Sequence, residues 1–269
     1  MTGVTSLIPN PKSLITRVAD SVIAALLAPA CAVCSTLVDE PLSGCVCRNC
    51  WNAIRPITPP LCDGCGDPLS RGDDVCEDCG RSERAVTRAR AIGQYDGVLR
   101  DVIHSFKYDK RHSLARPLAH LMRVRGAAVL EAADCIIPVP LHWRREYQRG
   151  FNQSRALSQH LGLPVLNALA RTRHTRAQVE LAADRRYSNV ANAFALRGRW
   201  QRHINGARVV IVDDVSTTGA TLESCAHVLK AFGASEVYAL TAARVVARRR
   251  HGQSQSPIHN HQSRTPPNP

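Results

Sequence analysis

The sequence predicts an α/β protein in which helices flank a parallel sheet and a small cysteine-rich module precedes that sheet. Three observations lead to this fold class. An apolar run at 209–212, an amphipathic segment at 222–232 and a second strand-like run at 236–242 form a strand–helix–strand unit, whose strands pair in parallel. A shorter apolar run at 135–141 supplies another strand. Nine of the eleven cysteines lie within 31–79, ahead of these strands.

Residues 1–30 form the first predicted segment, in which 14–27 is expected to be a short amphipathic helix. The apolar run at 22–30 follows basic residues and imitates a secretion signal. However, Asp20 abuts that run, and cleavage would leave the paired Cys31 at the new terminus. The run is also shorter than the roughly 20 apolar residues that span a bilayer. We therefore expect a cytoplasmic protein with no membrane span.

The second predicted segment, 31–82, holds four C-x-x-C pairs at regular intervals. Each pair presents two thiolates to one metal ion, and two pairs complete a tetrahedral site, so one or two structural Zn²⁺ are predicted. Disulfides and iron–sulfur ligation are the alternatives, but regular pairs in a protein expected to be cytoplasmic favour zinc. The eight candidate ligands are Cys31, Cys34, Cys47, Cys50, Cys62, Cys65, Cys76 and Cys79.

The spacing leaves open how these cysteine pairs combine. Sequential and interleaved arrangements would use the same eight ligands, and Cys45 is expected to be a bystander. Few large apolar residues lie between the pairs, so metal binding is expected to supply the stability of the module.

The larger domain is predicted to span 91–243, after a charged connector at 81–90. Apolar residues at helical spacing predict one helix over 98–112 and another over 114–124. Lys107 lies in the C-terminal part of the first of these helices, and taken alone it would be a solvated lysine.

An arginine-rich segment follows the strand predicted at 135–141. Proline cannot donate to a sheet ladder, so the strand is expected to stop at Pro138 and Pro140 and the chain to turn out of the sheet. Guanidinium groups suit phosphate because they donate two hydrogen bonds together, which predicts a second anion site. The alternative is the solvated face of a basic helix, which Gly150 and Asn152 disfavour. The arginines concerned are Arg144, Arg145 and Arg149.

The most informative stretch is 209–221, in which a buried strand ends in two adjacent acids and a Ser/Thr/Gly loop opens a helix. Backbone N–H groups at the start of a helix bind phosphate, and carboxylates accept hydrogen bonds from ribose hydroxyls. Capping of the helix would explain one acid, whereas both Asp213 and Asp214 are present. The stretch therefore predicts a site for ribose 5-phosphate.

Residues 209–221 resemble the phosphoribosyl pyrophosphate (PRPP) signature of type I phosphoribosyltransferases. The resemblance implies a type I phosphoribosyltransferase-like fold with a central parallel sheet, and Mg²⁺ bound to the pyrophosphate of PRPP. It assigns the two acids to the ribose hydroxyls and the loop to the 5-phosphate. The residues so implied are Asp213, Asp214, Val215, Ser216, Thr217, Thr218, Gly219 and Thr221.

Further motifs resemble the ComF family of competence proteins, in which a cysteine zinc module precedes the phosphoribosyltransferase-type domain. These motifs are Phe106-Lys107-Tyr108, Pro138-Val139-Pro140-Leu141 and Arg149-Gly150-Phe151-Asn152-Gln153-Ser154, with Arg171, Gln178, Arg185, Asn189 and Phe194. The resemblance implies that 139–145 is a pyrophosphate loop, that 173–189 is a mobile lid, and that the protein is associated with DNA uptake. The pyrophosphate-binding candidates are Lys107, Val139, Pro140, Arg145 and Arg149.

The net charge is +13, and a tail at 244–269 that contains no acid contributes five of the arginines. This tail is expected to be disordered. The excess of positive charge suits a polyanionic ligand and does not distinguish pyrophosphate from DNA. No segment resembles the hood that recognises the base in the wider superfamily, so the acceptor stays open, as does the oligomeric state.

The sequence therefore predicts one of two functions. The protein transfers a phosphoribosyl group to an unknown acceptor, or it is a non-catalytic accessory factor that binds PRPP or single-stranded DNA. The partners implied are PRPP, single-stranded DNA and DNA-uptake proteins.

Overall fold

The computed structural model describes residues 14–69, 74–109, 111–172 and 193–246. The strands in these ranges are β1 (Arg88–Gln94), β2 (Cys135–Pro138), β3 (Leu169–Arg171), β4 (Phe194–Leu196), β5 (Arg208–Ser216) and β6 (Glu236–Arg244). The helices are α1 (Leu14–Leu27), α2 (Arg48–Asn52), α3 (Glu77–Gly80), α4 (Gly97–Tyr108), α5 (Ala115–Arg125), α6 (Ala127–Glu131), α7 (Trp143–Arg149), α8 (Gln153–Ser158), α9 (Gln201–Ile204) and α10 (Ala220–Ala231). The predicted lid at 173–189 and most of the predicted tail lie outside the described residues.

The main sheet has four strands in the order β1–β6–β5–β2, and each neighbouring pair is parallel. β5, α10 and β6 form the predicted strand–helix–strand unit, in which Val209 lies opposite Val237. β3 and β4 form a separate antiparallel pair. The predicted α/β fold class, with a parallel sheet flanked by helices, is confirmed.

β5 is apolar at successive positions because both of its faces are covered. Val210 and Val212 belong to a core that includes residues of α4 and α5, whereas Val209 and Ile211 belong to a second core that includes residues of α10. A strand buried on two faces has no solvent side on which to place polar residues. The two cores therefore hold β5 firmly up to the acids near its C-terminal end.

The helix boundaries follow local signals. α10 buries Leu222, Cys225 and Leu229 along one stripe, and the chain leaves it through Gly233, whose φ of 91° is the left-handed conformation expected there. α4 ends at Tyr108 rather than at the predicted 112, because His112–Leu114 forms a separate 3-10 turn.

The cysteine-rich region lies along the outer edge of β1. The amide of Ala89 donates to the carbonyl of Asp63 at 3.1 Å, and the amide of Gln94 donates to the carbonyl of Arg55 at 3.2 Å. The region thereby covers the free edge of an edge strand. These pairings let β1 begin at Arg88, inside the segment expected to be a connector.

The close approach of the two parts depends on Gly93. A Cβ atom at this position would lie 2.3 Å from the carbonyl oxygen of Arg55, so only glycine fits. Val38, Val46 and Ile54 of the cysteine-rich region belong to the same apolar core as the helices of the larger domain. The first half of the cysteine-rich region is therefore packed into the main core.

The predicted N-terminal helix is present as α1. The side chain of Asp20 accepts a hydrogen bond from the amide of Leu42 at 2.8 Å, which ties α1 to the cysteine-rich region. Within the described ranges, no helix combines the length and the apolar character that a membrane span requires.

Candidate functional site

The loop between β5 and α10 is three residues long, 217–219. β5 extends through Val215 and Ser216, so these two residues lie in the strand rather than in the predicted loop, and Thr221 lies in the first turn of α10. Gly219 has a φ of 81° and is the N-cap of α10, where a left-handed conformation turns the chain into the helix. This tight turn brings the first amides of α10 close to the end of the strand that carries the two acids.

Asp213 lies in a network of hydrogen bonds. Its Oδ1 accepts from the hydroxyl of Ser154 at 2.9 Å and from the amide of Asp214 at 2.8 Å. Burial of the carboxyl group and the neighbouring charge of Asp214 raise the pKa of Asp213 to about 7. A carboxyl group with this pKa changes its charge near neutral pH.

Asp214 is the partner of two cations from distant parts of the chain. Its Oδ1 lies 2.8 Å from Nζ of Lys107, and its Oδ2 lies 4.0 Å from Nη1 of Arg149. The side chains of Lys107 and Asp214 are only 13% and 10% exposed, so this ion pair is largely removed from water. The fold thus joins one predicted ribose-binding acid to two predicted pyrophosphate-binding cations.

Arg149 is itself held in place by its neighbours. Nη1 donates to Oε1 of Gln153 at 3.0 Å, and the guanidinium lies 5.5 Å from the ring centre of Tyr108. Gln153 is 1% exposed, and its Nε2 has no hydrogen-bond partner among the described residues. A buried amide donor without a partner beside two cations suits a site that receives an oxygen-rich ligand.

The predicted pyrophosphate turn occupies the end of the strand next to β5. The amide of Val139 donates to the carbonyl of Val212 at 2.9 Å, and Nδ2 of Asn152 donates to the carbonyl of Val139 at 3.1 Å. Pro140 follows in the turn, but the segment from Trp143 is the helix α7. The prediction of a turn through 145 is therefore wrong at its C-terminal end.

The error has a clear physical origin in α7. Gly150 ends the helix in the left-handed conformation, with a φ of 79°, and Asn152 caps the next helix by accepting from the amide of Arg155. These residues, which are poor inside a helix, separate two short helices. Arg145 is accordingly a half-buried residue of a helix rather than of a turn.

Two four-cysteine groups occupy the cysteine-rich region. Within each group the Sγ atoms lie within 4.8 Å of one another. The Sγ–Sγ distances of 3.9, 3.6 and 3.7 Å match the ~3.8 Å edge of a tetrahedron with Zn–S bonds of ~2.3 Å. The groups combine the pairs sequentially and omit Cys45; they are Cys31, Cys34, Cys47 and Cys50, and Cys62, Cys65, Cys76 and Cys79.

Comparison with known proteins finds a matching domain family for each half of the chain. Residues 22–80 match the Double zinc ribbon domain, and residues 149–265 match the Phosphoribosyl transferase domain. Competence protein F of Haemophilus influenzae is 35% identical over 202 residues, which is 71% of this chain and 87% of the relative. This chain belongs to the competence protein F family. The DNA utilization protein YhgH of Escherichia coli is 34% identical over 202 residues, again 71% of this chain and 87% of the relative. Competence protein ComFC of Bacillus subtilis is 26% identical over 191 residues, which is 68% of this chain and 77% of that relative.

The structure gives partners to two motif residues of this competence protein F family member to which the sequence assigned no role, Ser154 and Arg171. Ser154 donates to Asp213, and its only signal in the sequence is its place at the end of the motif that begins at Arg149. Arg171 stacks on the ring of Phe194 at 5.2 Å; burial lowers the pKa of its guanidinium, and the charge of Arg145 acts in the same direction. Neither contact could be deduced from spacing, because the partners lie on different elements.

Replacing Asp213 by asparagine is expected to raise stability above pH 7. The pKa of Asp213 is raised, so the folded state binds a proton more tightly than the unfolded state, and the free energy of unfolding falls as pH rises to about 7. Asn keeps an oxygen for both hydrogen bonds but carries no charge. We expect a higher melting temperature at pH 8, by roughly 2–4 °C for each kcal/mol gained.

Thermal unfolding at pH 8 and at pH 6, with zinc present, measures this effect, and the gain should be smaller at pH 6. Asp134→Asn is the matched control, since Arg208 holds the pKa of Asp134 below its ordinary value and the sign should reverse. An Asp213→Asn protein that melts below the wild type at pH 8 would contradict the prediction.

Proposed function

We propose that this protein binds PRPP, with Mg²⁺ on the pyrophosphate, at the C-terminal end of β5. The observation that carries this proposal is the position of Asp213 and Asp214 near the C-terminal end of a central parallel strand, with Val215 and Ser216 between them and a tight loop that leads into a helix. Parallel sheets bind ligands at the carboxyl ends of their strands. The two acids accept hydrogen bonds from the ribose hydroxyls, and the amides of the loop and the first turn of α10 receive the 5-phosphate.

Lys107 and Arg149 are the cations proposed for the pyrophosphate. Both lie beside Asp214, at 2.8 and 4.0 Å. A pyrophosphate group competes with Asp214 for these cations, so binding of PRPP would free this carboxylate for the ribose. Val139 and Pro140, which follow β2, and Arg145 of α7 are the further residues that we propose for the pyrophosphate, and Mg²⁺ would neutralise part of its charge.

The biological setting that we propose is DNA uptake, in the cytoplasm. The relatives described above are named competence proteins and DNA utilization proteins. Transfer of the phosphoribosyl group is proposed for the same site: an atom of the acceptor bonds to the anomeric carbon of the ribose, and the bond from that carbon to pyrophosphate breaks. Positive groups next to the departing pyrophosphate would stabilise the charge that develops on it.

Calorimetric titration of PRPP, with and without Mg²⁺, tests the binding proposal. We expect affinity to fall roughly tenfold to 100-fold in Asp213→Asn, because a charged hydrogen-bond acceptor is lost. This variant is expected to be more stable than the wild type, so unfolding would not explain the loss. Asp134→Asn, an exposed acid at the opposite end of the sheet, is the control. Absence of PRPP binding by the wild type would reject the proposal.

A pyrophosphate-release assay with a panel of acceptors separates transfer from binding alone. Release that requires an acceptor supports a transferase. Binding without release, across nucleobases and oligonucleotides, supports the accessory factor.

The second candidate function is binding of single-stranded DNA, and α7 is the surface that favours it. Trp143 and Tyr147 are 66% and 88% exposed, and their spacing places them on one side of the helix. The guanidinium of Arg144 lies 5.2 Å from the ring centre of Trp143. Exposed aromatic rings among arginines stack bases and contact phosphates, with about 1–3 kcal/mol for each stacked base.

Fluorescence anisotropy with labelled oligothymidine tests this second function. Trp143→Ala with Tyr147→Ala is expected to weaken binding roughly tenfold or more. Phe232→Ala, which removes an exposed aromatic ring at the far end of α10, should leave it unchanged. Binding that survives the α7 substitutions but is lost on deletion of 247–269 would assign the activity to the tail instead.

A further inference from the structure

The second zinc ribbon, which comprises the cysteine group of Cys62 to Cys79, contacts the C-terminal side of the β5–α10 loop through Arg84. Nε of Arg84 donates to Oε1 of Glu223 at 2.7 Å, and Nη1 donates to Sγ of Cys79 at 3.1 Å. Glu223 lies in the first turn of α10, and a Cβ atom built at Gly219 would lie 3.5 Å from Nη2 of Arg84. The guanidinium therefore joins a zinc ligand to the residues that end the loop.

Glu223 is tied to the ribbon by more than this ion pair. Its side chain is 8% exposed, and its Oε2 also accepts from the amides of Ala85 and Val86, at 2.9 and 3.4 Å. The start of α10 is thus anchored to the segment that leaves the second zinc ribbon.

Arg244 makes the corresponding contact on the other side of the loop. Its Nε and Nη2 donate to the two carboxylate oxygens of Asp67 at 2.5 and 3.0 Å, a bidentate pair. Asp67 belongs to the second zinc ribbon, and its carbonyl accepts from the amide of Cys62 at 2.8 Å. Nη1 of Arg244 donates to the hydroxyl of Ser216 at 3.1 Å, immediately before the loop.

We infer that Arg84 and Arg244 are positioning residues through which the second zinc ribbon sets the conformation of the β5–α10 loop. Both guanidinium groups are largely buried, and their contacts flank the short loop at Ser216 and at Gly219 and Glu223. A three-residue turn with one left-handed glycine has few ways to absorb a shift at either end. The inference rests on the proposed function only in that PRPP is the ligand whose affinity reports the loop conformation.

If Arg84 and Arg244 only held the ribbon against the sheet, their substitution should have the same effect as substitution of Arg90. Arg90 joins the same ribbon to the sheet, with Nη2 2.8 Å from Oδ1 of Asp63. Arg90 belongs to β1, and none of its hydrogen bonds within the described residues reaches the loop or α10. The Arg90–Asp63 pair is therefore a matched control for an ion pair that holds the ribbon against the sheet.

The experiment compares two paired substitutions. Arg84→Met with Glu223→Gln removes both charges, while the amide oxygen of Gln can still accept from Ala85 and Val86. Arg90→Met with Asp63→Asn removes the control pair. Zinc content, expected to be about two ions per chain in each variant, verifies that both ribbons stay loaded.

Amide hydrogen exchange over 217–222, without PRPP, is the first readout. We expect exchange to rise roughly tenfold or more in the Arg84 variant and to stay near the wild-type rate in the Arg90 variant. The second readout is PRPP affinity, which we expect to fall roughly tenfold in the Arg84 variant alone. A small displacement of the groups that contact a ligand can cost up to about 100-fold, and a loosened loop displaces them only part of the time.

The two readouts separate the inference from the function on which it draws. Unchanged loop exchange in the Arg84 variant, or an equal rise in both variants, overturns the inference whatever PRPP does. A selective rise in exchange in a protein that does not bind PRPP even as wild type supports the positioning role and rejects the PRPP proposal. A selective rise with unchanged PRPP affinity overturns the role of Arg84 in the site.

Discussion

Removal of zinc is expected to unfold the second zinc ribbon while the first half of the module stays packed on the sheet. The buried core around the second cysteine group consists of the four cysteines, with Leu69 packed against them. Zinc binding in such modules contributes on the order of 10 kcal/mol, and the described residues of this ribbon offer no comparable apolar core in its place. We therefore expect chelation to abolish protection from hydrogen exchange at 62–69 and 74–79.

The first cysteine group should respond less because it shares the main core. Cys31 and Cys50 are buried with Val38, Val46 and Ile54 in the cluster that includes α4 and α5. A substitution there should lower the zinc content to about one per chain and loosen the two C-x-x-C turns of that group, while the main sheet stays folded.

Matched cysteine substitutions measure this difference. Cys76→Ser in the second group is expected to release the ribbon from the sheet, whereas Cys47→Ser in the first group should affect only its own surroundings. Zinc content and exchange by peptide are the measurements. A metal-free protein that keeps native protection at 62–69 would contradict the prediction.

Replacing Asp214 by asparagine is expected to lower the free energy of unfolding by roughly 3–5 kcal/mol, because it leaves Lys107 buried without its partner. The ammonium group lies 2.8 Å from Asp214, and both side chains are almost entirely removed from water. Arg149, at 4.0 Å, adds a second positive charge to the same space. The single substitution therefore leaves uncompensated cations where water is scarce.

A double variant distinguishes loss of the ion pair from loss of packing. Lys107→Met together with Asp214→Asn removes the unpaired charge and is expected to recover most of the stability that the single variants lose. Chemical denaturation in the presence of zinc compares Asp214→Asn, Lys107→Met and the double variant with the wild type. Equal destabilisation in the single and double variants would show that charge is not the cause. PRPP binding should be weak in all three variants if the proposed function holds.

The adjacent acids are thus expected to have opposite effects on stability. Asp213 carries a charge that the folded protein disfavours, whereas Asp214 balances a buried lysine. Tight binding of PRPP would need both, so the site keeps one acid at a cost in stability. Comparison of Asp213→Asn with Asp214→Asn tests this directly.

The amino-acid sequence predicted the features that depend on local periodicity and spacing. The run 209–212, the amphipathic segment behind it and the strand after Gly233 became β5, α10 and β6, because buried strands and helices repeat their apolar residues at fixed intervals. The eight cysteines were identified because the two thiolates of each C-x-x-C pair lie close together in the chain. Where local signals competed, as at 143–145, the prediction of a turn was wrong, since glycine and asparagine separated two helices instead of preventing one.

Only the tertiary structure decided which residues surround the acids and how the module meets the sheet. It paired the cysteines sequentially, brought Lys107 to Asp214 and Ser154 to Asp213, and linked Arg244 to Asp67 across 177 positions. Contacts of this kind leave no periodic trace, because any arginine or lysine on a given face would look the same in the sequence. Which distant residues meet depends on how all the strands and helices pack together. The sequence by itself therefore identified the residues of the site, and the fold determined which of them are neighbours.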